Sequence, residues 1–176
     1  MPDKKTEAEG VAVYAPENLQ RLLSVLWNSK EEPKTQSVLL YVVLGAFAGL
    51  RPAEAVALEW KHVDFTTRQI VLAPPVAKLA RNVPLKDNLV DFLAPFKGRN
   101  GLVVVHKKVA NLLRNECVAA RVAHISNGLR RSYATYRLAE VSEAVVRAEL
   151  GLDATAPNEF KAASPADAAR YWSVIP

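Results

Sequence analysis

Residues 47–64 read FAGLRPAEAVALEWKHVD, and the Gly-Leu-Arg-Pro turn in this stretch organises the chain on both sides of it. Upstream, residues 35–47 are nearly all apolar, which predicts a helix buried in the centre of a domain and ended by Gly49. Downstream, Pro52 is a favourable first residue for another helix. We therefore predict that Arg51 lies in a turn pinned between two helices.

A second Gly-Leu-Arg sequence occurs in residues 127–134, which read NGLRRSYA. Ser126 or Asn127 is suited to cap a helix predicted over residues 126–139, because a short polar side chain can accept a hydrogen bond from the first turn. Arg130 then falls in that first turn. Since a guanidinium can donate paired hydrogen bonds to anionic oxygens, the two turns together indicate a site that grips phosphate.

The region between the two turns predicts a short antiparallel hairpin. Residues 69–73 and 81–85 have the composition of strands, Pro74-Pro75 separates them, and Lys78 lies near the tip. The predicted fold class is mainly α with a small antiparallel β-sheet. The other predicted elements are a helix from Pro16 to the break at Glu31-Glu32-Pro33, a helix from Pro52 through Leu58, helices over 87–96, 107–122, 142–150 and 165–172, and a strand over 102–105.

The composition is that of one globular domain. The chain has 176 residues, 50% hydrophobic and 23% charged, and we expect a single domain over residues 11–176 after a frayed N-terminus at residues 1–10. The longest apolar run, residues 38–50, is shorter than the ~20 residues that span a membrane, and no signal peptide is recognisable, so we expect a cytoplasmic protein. Cys117 is the only cysteine and the three histidines are scattered. We expect no disulfide, metal or cofactor.

Positive charge is concentrated in the C-terminal half. The net charge is +5, and in the stretch from residue 107 to residue 137 Glu116 is the only acid. Such a stretch is typical of a nucleic-acid interface, because clustered cations release counterions from a phosphate backbone, and it is equally typical of an ordinary solvated helix surface. The basic residues of this stretch are Lys107, Lys108, Arg114, Arg121, Arg130, Arg131 and Arg137.

The order and spacing of these motifs resemble those of the tyrosine recombinases and phage-type integrases. Residues 47–64 resemble the first arginine box of that family, and residues 127–134 resemble the second. Between them, Ile70-Val71-Leu72, Lys78 and the sequence RNVPL at 81–85 are similar to the family's strand, lysine-bearing hairpin and returning strand. The resemblance covers residues 14–176 and implies the catalytic-domain fold, double-stranded DNA as the partner, and a bacterial, phage or mobile-element origin.

The resemblance also implies roles for individual residues. Members of the family cleave DNA through attack of a tyrosine oxygen on a phosphodiester, so Arg51 and Arg130 would hold the non-bridging oxygens and Lys78 would protonate the leaving oxygen. Lys78 has this role only if the hairpin is shorter than usual, since Val76 stands at the conventional spacing. Asn127 replaces a histidine and can donate a hydrogen bond without shuttling protons, or it is simply a helix cap.

Simpler structural roles remain open for the two arginines. Arg51 could be a surface arginine at a helix start, and Arg130 could pair with an acid such as Glu140. The phosphate-facing surface implied by the resemblance combines both arginines with the basic stretch: Arg51, Arg130, Arg131, Lys107, Lys108, Arg114 and Arg121.

Departures from the family pattern cluster near the C-terminus. Arg131 stands where a histidine often follows the second arginine, and Leu152 stands where a Gly-His or Gly-Trp pair is expected. Residues 153–164, where the nucleophile should lie, contain no tyrosine, and Phe160 cannot attack phosphorus. Tyr171 comes later and is a poor substitute, with a role in packing expected instead.

These observations predict a degenerate recombinase catalytic domain that binds double-stranded DNA in a salt-sensitive manner and cannot cleave it alone. The residues before Phe47 are assigned to the first two helices of this domain, so we expect the family's N-terminal core-binding domain to be absent. One alternative is an active recombinase that uses Tyr171 or a tyrosine from a partner, either an integrase subunit or another copy bound to the same DNA. Another alternative is a protein-interaction module with no role on DNA.

Overall fold

The computed structural model describes residues 12–153, 155–157 and 160–176, so the expectation of a frayed segment at residues 1–10 lies outside the described residues. Eight helices and three strands are formed in the described part. The helices are α1 (Pro16–Asn28), α2 (Pro33–Ala48), α3 (Pro52–Ala57), α4 (Asp87–Leu93), α5 (Val109–Ala119), α6 (Gly128–Arg137), α7 (Glu143–Leu150) and α8 (Pro165–Trp172). The strands are β1 (Val63–Asp64), β2 (Gln69–Leu72) and β3 (Arg81–Pro84). The predicted fold class, mainly α with a small antiparallel sheet, is confirmed.

Helix α2 forms the centre of the domain. Its residues from Ser37 to Ala48 are all buried, and α1, α3, α4, α5 and α6 pack around it. A helix that is apolar on every face is stable only when other elements cover it completely. At the crossing with α6, a Cβ atom on Gly45 would lie 2.9 Å from the Cβ of Leu129, so the missing side chain lets the two helices approach closely. This contact holds the start of α6 against the domain centre.

Gly49 ends α2 as the sequence predicts. Its φ of 64° lies in the left-handed region, which a glycine adopts at little cost. A Cβ atom here would come within 2.6 Å of the Tyr133 ring and 2.8 Å of Leu150, so the turn also lies against α6 and α7. Pro52 then opens α3, which leaves Arg51 between the two helices.

The sheet is antiparallel with the order β1-β2-β3. The hairpin register pairs Ile70 with Val83 and Leu72 with Arg81, and Ile70, Leu72 and Val83 are buried on one face. The two predicted strands are confirmed, each ending one residue earlier than expected. Strand β1 has only two residues, and the sequence pattern did not predict it.

The predicted strand over residues 102–105 is wrong. Leu102 forms an isolated bridge with Glu59, and the Val103 N–H donates to the carbonyl of Leu58 at 2.9 Å, but no strand follows. Val103 and Val104 are buried in the core. The apolar run therefore reflects burial of side chains and not pairing of backbones.

Most helix limits differ from the predicted ones by one or two residues, and α8 agrees with its prediction at both ends. The larger differences occur around residues 87–137. The segment predicted as one helix over 87–96 is α4 followed by a 3-10 turn at Ala94–Phe96, α5 is shorter at both ends than 107–122, and α6 starts at Gly128. Pro95 explains the first difference, because it has no N–H to continue the α-helical hydrogen bonds.

Candidate functional site

Three guanidinium groups converge on the C-terminal end of α7. They come from different parts of the chain: the turn between α2 and α3, strand β3, and the first turn of α6. Each donates to one of three consecutive backbone carbonyls: Arg81 Nε to Glu149 (2.7 Å), Arg130 Nη2 to Leu150 (2.7 Å) and Arg51 Nη2 to Gly151 (3.0 Å). The last carbonyls of a helix lack partners within the helix and carry partial negative charge, so they attract cations. The end of α7 thereby brings both predicted arginines into one site.

Glu54 supplies a carboxylate to this site. It forms a paired interaction with Arg81, at 2.9 and 2.7 Å, and also accepts hydrogen bonds from Arg51 Nη1 (3.0 Å) and from the Arg51 backbone N–H (2.8 Å). The last of these caps the start of α3. Burial opposes the charge of the Glu54 carboxyl, but the hydrogen bonds from Arg81 and Arg51 outweigh it and lower its pKa below the ordinary value. Glu54 is therefore ionised at neutral pH.

Arg130 is the most strongly perturbed arginine of the group. Its Nη1 also donates to the carbonyl of Gly49 at 2.6 Å, which ties α6 to the turn after α2. Burial, followed by repulsion from the charge of Arg51, lowers the pKa of Arg130 to about 10. Since that value is still well above neutral pH, Arg130 remains protonated at an energetic cost that a bound anion would relieve.

The site carries more positive than negative charge. Arg51, Arg81 and Arg130 contribute three cations, while Glu54 contributes one anion. Arg51 is the accessible member, with 37% of its side chain exposed, whereas the side chain of Arg81 is 5% exposed. An anion approaching from solvent would thus meet Arg51 first, and Arg81 lies behind it.

A second ion-pair network supports the same helix end from the side of α6. The Glu149 carboxylate accepts hydrogen bonds from the Tyr133 hydroxyl (2.7 Å) and from Arg137 (2.9 and 3.1 Å). Glu140 accepts hydrogen bonds from Arg137 and from Lys86. Glu140 therefore pairs with these two cations, and the simple alternative in which Arg130 pairs with it does not describe this structure.

Two further predicted site residues, Lys78 and Asn127, make no described hydrogen bond to the three arginines. Lys78 is exposed on the segment that joins β2 and β3, and among the hydrogen bonds of the described residues none connects it to this site. Asn127 directly precedes α6 with a φ of 53°, its side chain is exposed, and it makes no capping hydrogen bond in the described structure. Asn127 therefore occupies the predicted N-cap position, but the hydrogen bond expected from its side chain is not formed.

The basic stretch divides into two groups. Arg137 is committed to Glu140 and Glu149, and Arg131 is half-buried with a hydrogen bond to the carbonyl of Ser126. Arg130 belongs to the arginine site, and the four remaining members are exposed around α5: Lys107 and Lys108 before it, Arg114 within it and Arg121 after it. This surface is solvated and positively charged, and the structure by itself fits both of the roles that the sequence left open.

Tyr171 lies in the core. Its hydroxyl donates to the carbonyl of Ala46 at 2.6 Å, its ring stacks on Tyr136 with 4.0 Å between centroids, and burial raises its pKa well above the ordinary value. Phe160 packs on the small cluster around Tyr133 and Leu150. All five tyrosines of the chain are buried, each at most 8% exposed.

Two other classes of site can be assessed for the part of the chain that is described. No group of three or more histidine, cysteine, aspartate or glutamate side chains there has the arrangement of a metal site. No helix among the described residues is long and apolar enough to cross a lipid bilayer.

The fold, mainly helical with a small antiparallel sheet, is similar to that of solved integrase and recombinase structures. The chain is similar to the catalytic domain of bacteriophage HP1 integrase, with a TM-score of 0.63 and 21% identity over 94% of this chain and 89% of that one. It is also similar to XerA recombinase, with a TM-score of 0.64 and 17% identity over 98% of this chain and 62% of that one. The chain therefore has the tyrosine recombinase catalytic-domain fold, as its motifs predict. No protein-family model and no curated protein sequence matches it.

Sequence reasoning missed the ion pair between Arg81 and Glu54. A signal for it was present, because Arg81 is two residues from the buried Val83 and side chains two apart in a strand share a face. A charged side chain on a buried face requires a partner of opposite charge. The carbonyl groups at the end of α7, which accept hydrogen bonds from the three arginines, could not be predicted in this way. Any backbone carbonyl can accept a hydrogen bond, so the sequence does not mark these three.

Proposed function

We propose that this chain is a DNA-binding domain of the recombinase type that holds a backbone phosphate between Arg51 and Arg130 and cannot cleave DNA by itself. The observation that carries the proposal is the anchoring of both guanidiniums on adjacent carbonyls, at Leu150 and Gly151, beside an excess of positive charge. Anchored side chains lose little further freedom when a ligand binds, so less of the binding energy is offset.

The chemistry of the two side chains suits a phosphodiester. A guanidinium has five N–H groups, and the two hydrogen bonds described for the side chains of Arg51 and of Arg130 leave further donors for a ligand. Arginine also keeps its charge at every physiological pH, which suits it to hold anionic oxygens with charge-assisted hydrogen bonds. The exposed cations around α5 would add contacts to neighbouring phosphates, so binding would weaken steeply with salt.

The lack of cleavage follows from the tyrosines. Attack on phosphorus needs an accessible phenolic oxygen near the arginines, and each tyrosine of this chain is buried. Tyr171 is the tyrosine nearest in sequence to residues 153–164, where the nucleophile was expected, and its hydroxyl donates a hydrogen bond to the backbone carbonyl of Ala46 in the core. Asn127 in place of a histidine cannot shuttle a proton, which removes a second part of the chemistry. We propose that the domain acts on cytoplasmic DNA, together with integrase subunits or with copies of itself.

Binding of a short fluorescein-labelled DNA duplex, followed by anisotropy, tests the first part. The double variant Arg51→Ala/Arg130→Ala should weaken binding and flatten its dependence on salt. Arg170→Ala is the matched control, because it removes one exposed positive charge from the α1–α8 surface, where Arg170 pairs with Glu17. A wild type that shows no salt-sensitive duplex binding, with unchanged behaviour in the double variant, would favour a protein-interaction module without a DNA role.

A nicked suicide substrate tests the second part. The expected result is that no covalent adduct between protein and DNA survives denaturation. An adduct that forms with the protein alone would contradict the proposal, and its loss in Tyr171→Phe would assign the nucleophile to Tyr171. An adduct that forms only after addition of an active integrase would indicate a tyrosine supplied by the partner.

A further inference from the structure

We propose that Arg81 is a positioning residue of the phosphate site, because its pairing with Glu54 keeps the guanidinium of Arg51 available to an anion. Arg81 would not contact DNA itself. This inference rests on the proposed function, since it assigns Arg81 a part in the same binding of phosphate.

The surroundings of Arg81 fit a supporting role. It stands at the start of β3, paired with Leu72 of β2, and its side chain is directed into the protein with 5% exposed. Each nitrogen of its guanidinium donates to a protein acceptor: Nε to the Glu149 carbonyl, and Nη1 and Nη2 to the two carboxylate oxygens of Glu54. All three guanidinium nitrogens of Arg81 are thus engaged in hydrogen bonds, and the side chain is almost entirely shielded from solvent.

Glu54 is shared between two arginines. Its Oε1 accepts from Arg81 Nη1 and Arg51 Nη1, and its Oε2 accepts from Arg81 Nη2 and the Arg51 backbone N–H. Both Nη atoms of Arg81 therefore donate to Glu54, whereas the side chain of Arg51 donates only one hydrogen bond to Glu54. The charge of Glu54 is balanced mainly by Arg81, which leaves most of the charge of Arg51 for a ligand.

Removing Arg81 would change this balance. The buried Glu54 carboxylate would then have Arg51 as its nearest remaining cation, and a close pair of opposite charges attracts a further anion only weakly. The loss of Arg81 would thus weaken phosphate binding indirectly, because it changes the charge that Arg51 presents to the ligand. Removing Glu54 as well would free Arg51 again, so a second substitution should restore what the first one removes.

The experiment measures duplex binding by anisotropy over salt concentrations from about 50 to 200 mM. The variants are Arg81→Gln, Arg81→Lys and the double variant Glu54→Gln/Arg81→Gln. Arg81→Gln should bind about eightfold more weakly at about 0.1 M salt, with a salt slope smaller by about one, as for the loss of one phosphate-neutralising charge. The double variant should recover most of this loss, and Arg81→Lys, which keeps the charge, should bind within about threefold of the wild type.

Arg68→Gln is the matched control. Arg68 lies between β1 and β2, pairs with the exposed Asp87 and makes none of the described hydrogen bonds of the arginine site. Its removal should leave binding close to that of the wild type. Thermal unfolding of each variant accompanies the binding measurements. If Arg81→Gln does not fold, the double variant is the test, and a folded Glu54→Gln/Arg81→Gln that binds more than about threefold more weakly than the wild type overturns the inference.

The outcomes separate the two proposals. Wild-type protein that shows no salt-sensitive binding, or binding insensitive to Arg51 and Arg130, overturns the proposed function and this inference with it. Wild-type protein that binds as proposed, with Arg81→Gln equal to it or with no recovery in a folded double variant, overturns only the role of Arg81. Recovery in the double variant supports the inference when Arg81→Gln is itself folded under the assay conditions, because its weaker binding then does not come from loss of structure.

Discussion

Replacing Arg130 with methionine distinguishes the effect of this residue on the stability of the fold from its contribution to DNA binding. The pKa of Arg130 is lowered to about 10, mainly by burial, which is roughly two to three pKa units below the ordinary arginine value. Because one pKa unit corresponds to about 1.4 kcal/mol, keeping the charge in the folded protein costs about 3 kcal/mol at neutral pH. This cost is present in full below pH 10 and disappears only as the pH rises beyond the folded value toward the ordinary pKa of arginine, where Arg130 would lose its proton in both the folded and the unfolded state.

Other contacts of Arg130 act in the opposite direction. Its hydrogen bonds to the carbonyls of Gly49 and Leu150, at 2.6 and 2.7 Å, would be lost in the variant. At about 1.5 kcal/mol each, these two bonds contribute about 3 kcal/mol, which nearly balances the relief of the buried charge. Methionine preserves the apolar stem of the side chain. We therefore expect Arg130→Met to change the free energy of unfolding by less than about 1.5 kcal/mol, as measured by urea denaturation.

DNA binding should respond very differently. Loss of a charge-assisted hydrogen bond to phosphate costs about 1.5 to 3 kcal/mol, which corresponds to binding that is weaker by about 10- to 150-fold. Arg137→Met, on the same helix, should have the opposite pattern of effects on stability and on DNA binding. The charge of Arg137 is stabilised by Glu149 and Glu140, which raise its pKa. Its removal leaves Glu149 without its cation and should cost about 3 to 5 kcal/mol of stability, while the folded protein keeps its affinity for the duplex.

Two results would refute this reasoning. If Arg130→Met lowered the free energy of unfolding by more than about 4 kcal/mol, Arg130 would be a structural tie between α6 and the turn after α2. If the variant kept both its stability and its duplex affinity, Arg130 would not belong to a phosphate site. The opposite responses of the two variants, measured by the same two assays, are what the structure predicts.

Three further predictions concern the surrounding contacts. Tyr171→Phe should lower the unfolding free energy by about 1 to 3 kcal/mol, because the buried carbonyl of Ala46 loses its donor, and DNA binding measured by anisotropy should not change. Gly151→Ala should lower both thermal stability and duplex affinity, since its φ of 61° disfavours alanine and a Cβ atom would lie 2.9 Å from Arg81 Nη1; unchanged values for both would contradict the described site. The pKa of Glu54 is lowered in the folded protein, so the stability that its charge provides is present above pH 4.5 and is lost as the pH falls through the folded value. Urea denaturation at a series of acidic pH values should therefore show a smaller loss of stability in Glu54→Gln than in the wild type, and equal losses would refute this assignment.

Several elements could be predicted because they follow from local chemistry. The apolar composition of α2, the left-handed Gly49 and the helix-starting Pro52 each favour one conformation, and together they place Arg51 in its turn. Helix α8, which opens with a capping serine followed by proline, was predicted at both ends for the same reason. Where the signal was an apolar run without alternation, as at residues 102–105, the pattern could not distinguish a buried loop from a strand.

The candidate site also has a part that the sequence predicts and a part that it does not. The two Gly-Leu-Arg sequences predict Arg51 and Arg130 as site residues, because each combines a glycine with a side chain suited to phosphate. Gly49 is required by its positive φ, and Gly128 by its close packing against Ile125 and Tyr14. The acceptors that hold these arginines are backbone carbonyls at the end of α7, about 100 residues from Arg51 along the chain. A carbonyl has no residue type, so no motif can mark it as a partner. The convergence of Arg51, Arg81 and Arg130 at the end of α7 is therefore a property of the packed structure, which positions groups whose chemistry the sequence leaves identical to that of every other peptide unit.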